Sequence, residues 1–205
     1  LAKDVVFSPF TVKLFRDSSD GHTRKTLFEL PDGNLIEAVL MKYGDPADNP
    51  QIAASPSGRG AKDRRTLCIS TQAGCAMGCV FCASGLEGLQ RNLTVGEIVE
   101  QMLRLQLLLK PEERLSHIVV MGMGEPFHNY ENTLSAIDRL NDPQGYNFGA
   151  RRFTISTVGL IPAIRRFAAE KRQVNLAVSL HAADDVLRTS MLPVNKSYPI
   201  DELMA

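Results

Sequence analysis

The sequence predicts an α/β fold, a parallel sheet with helical crossovers preceded by a small antiparallel β-hairpin region. Three observations carry this. From residue 65 onward, short apolar runs alternate about four times with stretches of helical period, the pattern of strand–helix–strand units. The apolar runs are nearly continuous, as in strands buried on both faces. Before residue 46, two strand-like runs flank "PDGN", whose Asp-Gly pair is a strong hairpin signal.

Residues 5–45 read as strands, with "HTRKTLFEL" and "NLIEAVLMKY" on either side of that turn. Residues 46–64 are rich in Pro, Gly, Ser and Ala and read as a linker. The expected division is therefore an N-terminal extension over 1–64 and a strand–helix domain over 65–205. That domain opens with the strand "TLCIS" and the loop "GCAMGCVFC". In "LTVGEIVEQMLRLQLLL", Thr94 and Glu97 have the spacing of a capping box. Apolar residues at 95, 98, 99, 102 and 103 keep helical period behind them. "HIVVMGMGEP" is a buried strand ending in glycines and "YENTLSAIDRL" a helix. "RRFTISTVG" is a strand, followed by the helix "IPAIRRFAAEK" with Pro162 near its start. "VNLAVSLHA" is a fourth strand, "ADDVLRTSML" a short helix, and "YPIDELMA" the beginning of another.

The chain has 205 residues, 44% hydrophobic and 22% charged, enough for one ordinary domain or one domain plus an appendage. No apolar stretch is long enough to cross a bilayer, and Lys3 and Asp4 interrupt any leader-like region. Lys plus Arg and Asp plus Glu each number 23, which argues against polyanion binding through overall charge. Local basic clusters remain, at Arg59, Lys62, Arg64 and Arg65 and at Arg151 and Arg152. Four cysteines, three of them packed together, are too sparse for a secreted disulfide scaffold. Close-set cysteines in a cytoplasmic chain hold metal or do redox work.

The unusual motifs all fall after strands: the cysteine loop, "GMGEP", "STVG" and "SLH". Ligands of parallel α/β folds gather at those C-terminal strand ends. Cys75, Cys79 and Cys82 are three thiols in one loop. A structural zinc ion would need a fourth ligand, from Cys68, His117, His128 or His181. A four-iron cluster held by three thiolates would instead keep one iron open for a substrate or cofactor.

Cys75-x-x-x-Cys79-x-Phe81-Cys82 resembles the signature of radical S-adenosylmethionine (SAM) enzymes, aromatic included. "TLCISTQAGCAMGCVFCASG", "RNLTVGEIVEQ", "VVMGMGEPFHN", "STVGLIPAI" and "LAVSLHAADDVLRTSMLPVNKSYPI" resemble, in order, the blocks of the RlmN/Cfr family of radical SAM RNA methyltransferases. The resemblance covers roughly residues 20–205. It implies a partial (β/α) barrel of about four of six strand–helix units. The implied cofactors are a 4Fe–4S cluster on Cys75, Cys79 and Cys82, and SAM contacted by Gly124, Glu125, Ser156, Ser179, Leu180 and His181. It implies Glu37 as proton acceptor and Cys68 as the thiol that resolves a covalent enzyme–adenine intermediate. The family methylates an adenine of 23S rRNA, at C2 or at C8, and some members act on tRNA. C2 is the favoured expectation here.

The resemblance further implies a cytoplasmic monomer that takes electrons from a donor such as flavodoxin or ferredoxin. One departure stands out. The family's methyl-carrying cysteine lies near the end of the enzyme, and no cysteine here follows Cys82. The chain is therefore expected to be a fragment, lacking the last two strand–helix units and a small N-terminal accessory domain, and unable to complete turnover. Three other readings stay open: a radical SAM enzyme with a small-molecule substrate, a zinc-containing RNA-binding module without catalysis, and a purely structural fragment whose site stays empty.

Overall fold

The computed structural model describes residues 10–43 and 64–205. Nearly all of the expected linker, with Arg59 and Lys62 of the first basic cluster, lies outside the described residues. The strands are β1 (Thr11–Asp17), β2 (Thr23–Glu29), β3 (Leu35–Lys42), β4 (Arg65–Cys68), β5 (Gln72–Gly74), β6 (Leu89–Asn92), β7 (His117–Val120), β8 (Phe153–Thr157) and β9 (Asn175–Val178). The helices are α1 (Ala83–Leu86), α2 (Val95–Gln106), α3 (Tyr130–Asn141), α4 (Ile161–Ala169), α5 (Asp185–Met191) and α6 (Ile200–Met204).

β1 to β3 form an antiparallel meander. Between β2 and β3, the Leu30 N–H donates to the Asn34 carbonyl at 2.8 Å and the Gly33 N–H to the Leu30 carbonyl at 2.9 Å. This closes the loop around Asp32-Gly33, with Gly33 at φ 84°, a conformation open to glycine because it lacks a Cβ. Alternation then sorts the faces. Phe28, Ile36, Ala38 and Leu40 are buried, while Lys25 and Glu37 stand on the opposite, solvent-reaching face.

Seven strands share one sheet in the order β1-β2-β3-β4-β7-β8-β9. β3 and β4 are antiparallel with Val39 opposite Cys68, whereas β4, β7, β8 and β9 run parallel. The expected boundary at residue 64 is thus a change of pairing direction within one continuous sheet. The hairpin region has three strands and is hydrogen-bonded directly to the parallel ones. Each of the four parallel strands leads to a helix, as the alternation predicted.

α2 begins with the expected capping box. The Thr94 hydroxyl accepts from the Glu97 N–H at 3.3 Å and the Glu97 carboxylate accepts from the Thr94 N–H at 2.8 Å. Ile98, Gln101, Met102 and Leu105 form its buried face, at the spacing that lines up one side of a helix. With Leu134, Ile137 and Leu140 of α3 they cover Leu67, Ile118, Val120, Phe153 and Ile155 of the sheet. Each such side chain contributes about 1.5–3 kcal/mol when fully buried. α2 and α3 therefore cover one face of the parallel strands. Among the described residues no helix is long and apolar enough to cross a membrane.

Candidate active site

The cysteine loop has a built neck. β5 and β6 pair as a small antiparallel ribbon on either side of it, an element the sequence pattern did not disclose. The Cys75 N–H donates to the Gly88 carbonyl at 3.1 Å. A Cβ on Gly74 would lie 1.9 Å from that same oxygen, at a φ of +72°, so only glycine lets the two arms approach. Inside the loop, the Cys82 N–H donates to the Cys79 carbonyl at 3.1 Å. The Val80 N–H reaches the Met191 carbonyl at 3.1 Å and ties the loop to α5.

Cys75, Cys79 and Cys82 line one cavity of about 310 Å³, a volume suited to a small-molecule or cofactor site. Its other walls include Gly124, Glu125, Ser156, Ser179 and His181. The sequence-predicted cluster ligands and five of the six predicted SAM contacts therefore meet at the C-terminal ends of the parallel strands. The sixth, Leu180, is not among the lining residues; its carbonyl accepts from Arg188 Nε at 3.2 Å. His181 adopts φ 61°, in a region where His is enriched among non-glycine residues. Its ring packs on Phe81 with centroids 4.8 Å apart.

The donor set fits an iron–sulfur cluster. Cys75 and Cys79 are each 8% exposed. Burial raises both thiols, Cys79 to about 11, and the neighbouring sulfurs push further in the same direction. Thiolates crowded in this way coexist when cationic iron lies among them, because a bound cation inverts the local pKa logic. Among the described residues no three Cys, His, Asp or Glu side chains converge closely enough for one metal ion. A four-iron cluster takes one thiolate per iron and does not require them to meet at a point.

Glu125 is 2% exposed. One carboxylate oxygen accepts from the Phe127 N–H at 3.0 Å, the other from the Val158 N–H at 2.9 Å. Burial raises its pKa, opposed by these hydrogen bonds. A carboxylate offers about four lone-pair positions, so capacity remains for a ligand's ammonium group. The adjacent Gly124 sits at φ +99°, and a Cβ there would come 2.6 Å from the Gln72 Cβ. Ser156 and Ser179, at the ends of β8 and β9, lie Oγ to Oγ at 3.1 Å.

Neither Cys68 nor Glu37 is among the residues lining this cavity. Burial pushes the Cys68 thiol up to about 11, partly offset by a hydrogen bond from the Met121 backbone. Met121 itself lines the cavity. Glu37 pairs with Lys25 Nζ at 2.6 Å, and its carbonyl accepts from the Ser70 hydroxyl at 2.6 Å. Of the alternative zinc ligands, His117 lies at the start of β7, the opposite strand end from the thiols.

Sequence reasoning missed the residues that hold the cavity walls from outside. Gln101 is fully buried and clamps Ser70, accepting from its N–H at 2.8 Å and donating to its carbonyl at 2.9 Å. Gln72 is equally buried. Its side-chain oxygen accepts from the Glu125 N–H at 2.8 Å while its amide reaches Asn92 at 2.7 Å and His128 Nδ1 at 3.0 Å. Arg188 bridges the loops after β8 and β9 through Val158 and Leu180.

The sequence model of the Radical SAM superfamily matches residues 69–203. The chain is 49% identical to the "Probable dual-specificity RNA methyltransferase RlmN" of Chloroflexus aurantiacus, over 98% of this chain and 50% of that protein. It is 51% identical to the "Dual-specificity RNA methyltransferase RlmN 1" of Myxococcus xanthus, over 91% of this chain and 47% of that protein. Among solved structures, a radical SAM methyltransferase from Sphaerobacter thermophilus superposes with a TM-score of 0.85 at 47% identity. That match covers 99% of this chain and 55% of the other. The chain thus spans about half the length of the curated relatives it matches.

Proposed function

The chain belongs to the radical SAM superfamily, and from that premise we propose that the whole protein methylates an adenine of 23S rRNA at C2, and adenines in some tRNAs. The observation that carries this reading is the convergence of three thiols with Glu125, Ser156, Ser179 and His181 on one cavity. Relatives named dual-specificity RNA methyltransferases support the substrate class. Their RlmN name favours C2 over C8.

Membership of this family implies a 4Fe–4S cluster and SAM as cofactors. When bound, the two supply a 5′-deoxyadenosyl radical, chemistry that belongs to the cofactors rather than to the protein. In this reading Cys75, Cys79 and Cys82 hold the cluster. Glu125 takes the SAM ammonium through a charge-assisted hydrogen bond. Ser156, Ser179, Gly124 and His181 fix the rest of the ligand, with Leu180 held behind them by Arg188. Glu37 accepts a proton from the adenine. Cys68 then attacks the thioether sulfur of the methyl-carrying cysteine: an S–S bond forms as the S–CH2 bond breaks, and the departing carbon takes up a proton to leave as the methyl group of the adenine, the thiolate attack on sulfur being the same step as in disulfide exchange. Its high thiol pKa means that a base must take its proton as it attacks. A flavodoxin- or ferredoxin-type donor completes the partners of a cytoplasmic monomer.

Anaerobic reconstitution with iron and sulfide tests the assignment. The chain should take up about four irons. Cys75→Ala, Cys79→Ala and Cys82→Ala should each abolish uptake, and Cys68→Ala should leave it intact. Zinc in place of iron, or loss of the cluster in the Cys68 variant, would overturn the reading.

A further inference from the structure

Register aligns one row of residues across the sheet: Arg16, Lys25, Val39, Cys68, Val119 and Thr154. Register partners project from the same face. Here it is the face opposite buried Thr26 and Ala38, the immediate neighbours of Lys25 and Val39. Arg16 and Lys25, both exposed, are thus like charges directly opposite one another on the side that carries Cys68.

Directly opposed like charges destabilise a strand pair. The same meander avoids the problem elsewhere. Arg24 holds Asp17 through two hydrogen bonds of 2.7 and 2.8 Å, and Lys13 holds Glu29 at 2.7 Å. Lys25 is paired with Glu37 at 2.6 Å. Arg16 has no hydrogen bond or ion pair among the described residues. Among the described residues the face therefore holds one guanidinium without an ion-pair partner directly opposite an ammonium that a single carboxylate neutralises, an excess of positive charge that an anion would stabilise.

Strand spacing fixes how far this pair lies from the chemistry. Lys25 is two strands and Arg16 three strands from Cys68, about 10 and 15 Å at the usual separation. We propose that Arg16 and Lys25 form a phosphate clamp that grips the RNA strand flanking the adenine presented at Cys68. The inference rests on the RNA reading above and assigns it a contact surface. The guanidinium fork engages phosphate oxygens in pairs while the ammonium acts as a point charge. Contacts of this kind set position and orientation without reading sequence.

The test is the salt dependence of binding between this chain and a fluorescent RNA stem-loop with an unpaired adenine. Removing one phosphate-binding charge should flatten the slope of log K against log salt by about 0.7 for single-stranded RNA. The double variant Arg16→Gln, Lys25→Gln should therefore flatten it by about 1.4. Arg16→Lys should retain the slope. Arg16→Gln should also raise the melting temperature, because it removes the repulsion, which a residue serving only the fold would not do. Wild-type binding with an unchanged slope in the double variant overturns the clamp and leaves the RNA reading standing. No RNA binding by the wild type removes both. A melting temperature that falls assigns Arg16 to the fold and overturns the clamp. An unchanged RNA slope with slower reduction by an acidic flavodoxin reassigns the pair to a protein partner and likewise overturns it.

Discussion

Replacing Arg188 with Met should detach two cavity walls from each other. Arg188 is 0% exposed on the short helix α5. Its Nη2 donates to the Val158 carbonyl at 2.6 Å and its Nε to the Leu180 carbonyl at 3.2 Å. Its Nη1 donates to the Tyr198 carbonyl at 3.2 Å and to the Asn195 side-chain oxygen. Val158 follows β8, Leu180 follows β9, and Asn195 and Tyr198 belong to the chain leading into α6, so one side chain ties three segments. None of these acceptors is a carboxylate. Hydrogen bonds to a charged group contribute roughly 1.5–3 kcal/mol each, and desolvating the guanidinium costs several kcal/mol in return. The net loss in Arg188→Met is then about 3–5 kcal/mol, a large part of a typical stability of about 5–15 kcal/mol. With a urea slope of about 2–3 kcal/mol per molar, the unfolding midpoint should fall by about 1–2.5 M. Arg188→Lys keeps the charge but cannot reach all four acceptors. It should fold with an intermediate midpoint and, after reconstitution, bind SAM more weakly at unchanged iron content. A midpoint within about 0.3 M of wild type for the Met variant would refute the reasoning. So would wild-type SAM affinity in the Lys variant.

Three further outcomes follow from local geometry. Gly124→Ala places a Cβ 2.6 Å from the Gln72 Cβ at φ +99°. Strain and overpacking together should cost about 2–4 kcal/mol, read by thermal unfolding. Thr94→Ala breaks the capping box of α2 and should cost about 1 kcal/mol, a fall of about 2–4 °C in melting temperature for a domain of this size. Arg91 donates to Asp32 and holds its carboxyl down at about 2. A depressed folded-state pKa stabilises above the unfolded value and fades below it. The stability gap between wild type and Asp32→Asn should therefore narrow as pH falls from about 4 towards about 2, followed by urea midpoints across that range; a gap independent of pH would mean that Arg91 does not hold Asp32.

What the sequence disclosed was what neighbours in the chain decide together. Thr94 and Glu97 cap their own helix. Asp32-Gly33 make their own turn. Cys75, Cys79 and Cys82 share one loop. What it concealed depends on partners far along the chain. β5 and β6 bracket the cysteine loop, yet Gln72, Ala73 and Gly74 are all buried, so no alternation marks them as a strand. An arginine on a short helix reads as solvated charge, and only the fold brings Val158, Leu180 and Tyr198 around Arg188. Glu37 enters through the family resemblance alone, since its neighbours in the strand say nothing of a role. Its place follows from β3 meeting β4 with Val39 opposite Cys68, a register set across residues whose composition reads only as a linker.

The same distribution of partners couples affinity to stability at this site. The cavity is lined by strand ends and tight loops, and regular ladders do not satisfy all of their backbone groups. Gln101 satisfies Ser70, Gln72 satisfies Glu125, and Arg188 satisfies Val158 and Leu180, each from a position outside the lining. Glu125 does both jobs. It accepts from the Phe127 and Val158 N–H groups and also lines the cavity. A supporting shell of this kind preorganises a site by locking it before the ligand arrives. A ligand that binds only the locked form then stabilises the fold in proportion to RT ln(1 + [L]/Kd). Loosening any of the outside partners must weaken the ligand and the fold together. Changing Ser156 or Ser179, whose hydroxyls meet each other at the cavity wall, should weaken the ligand with far less effect on the fold. Affinity and stability measured side by side across these variants would thus separate the residues that touch SAM from those that hold the residues that do.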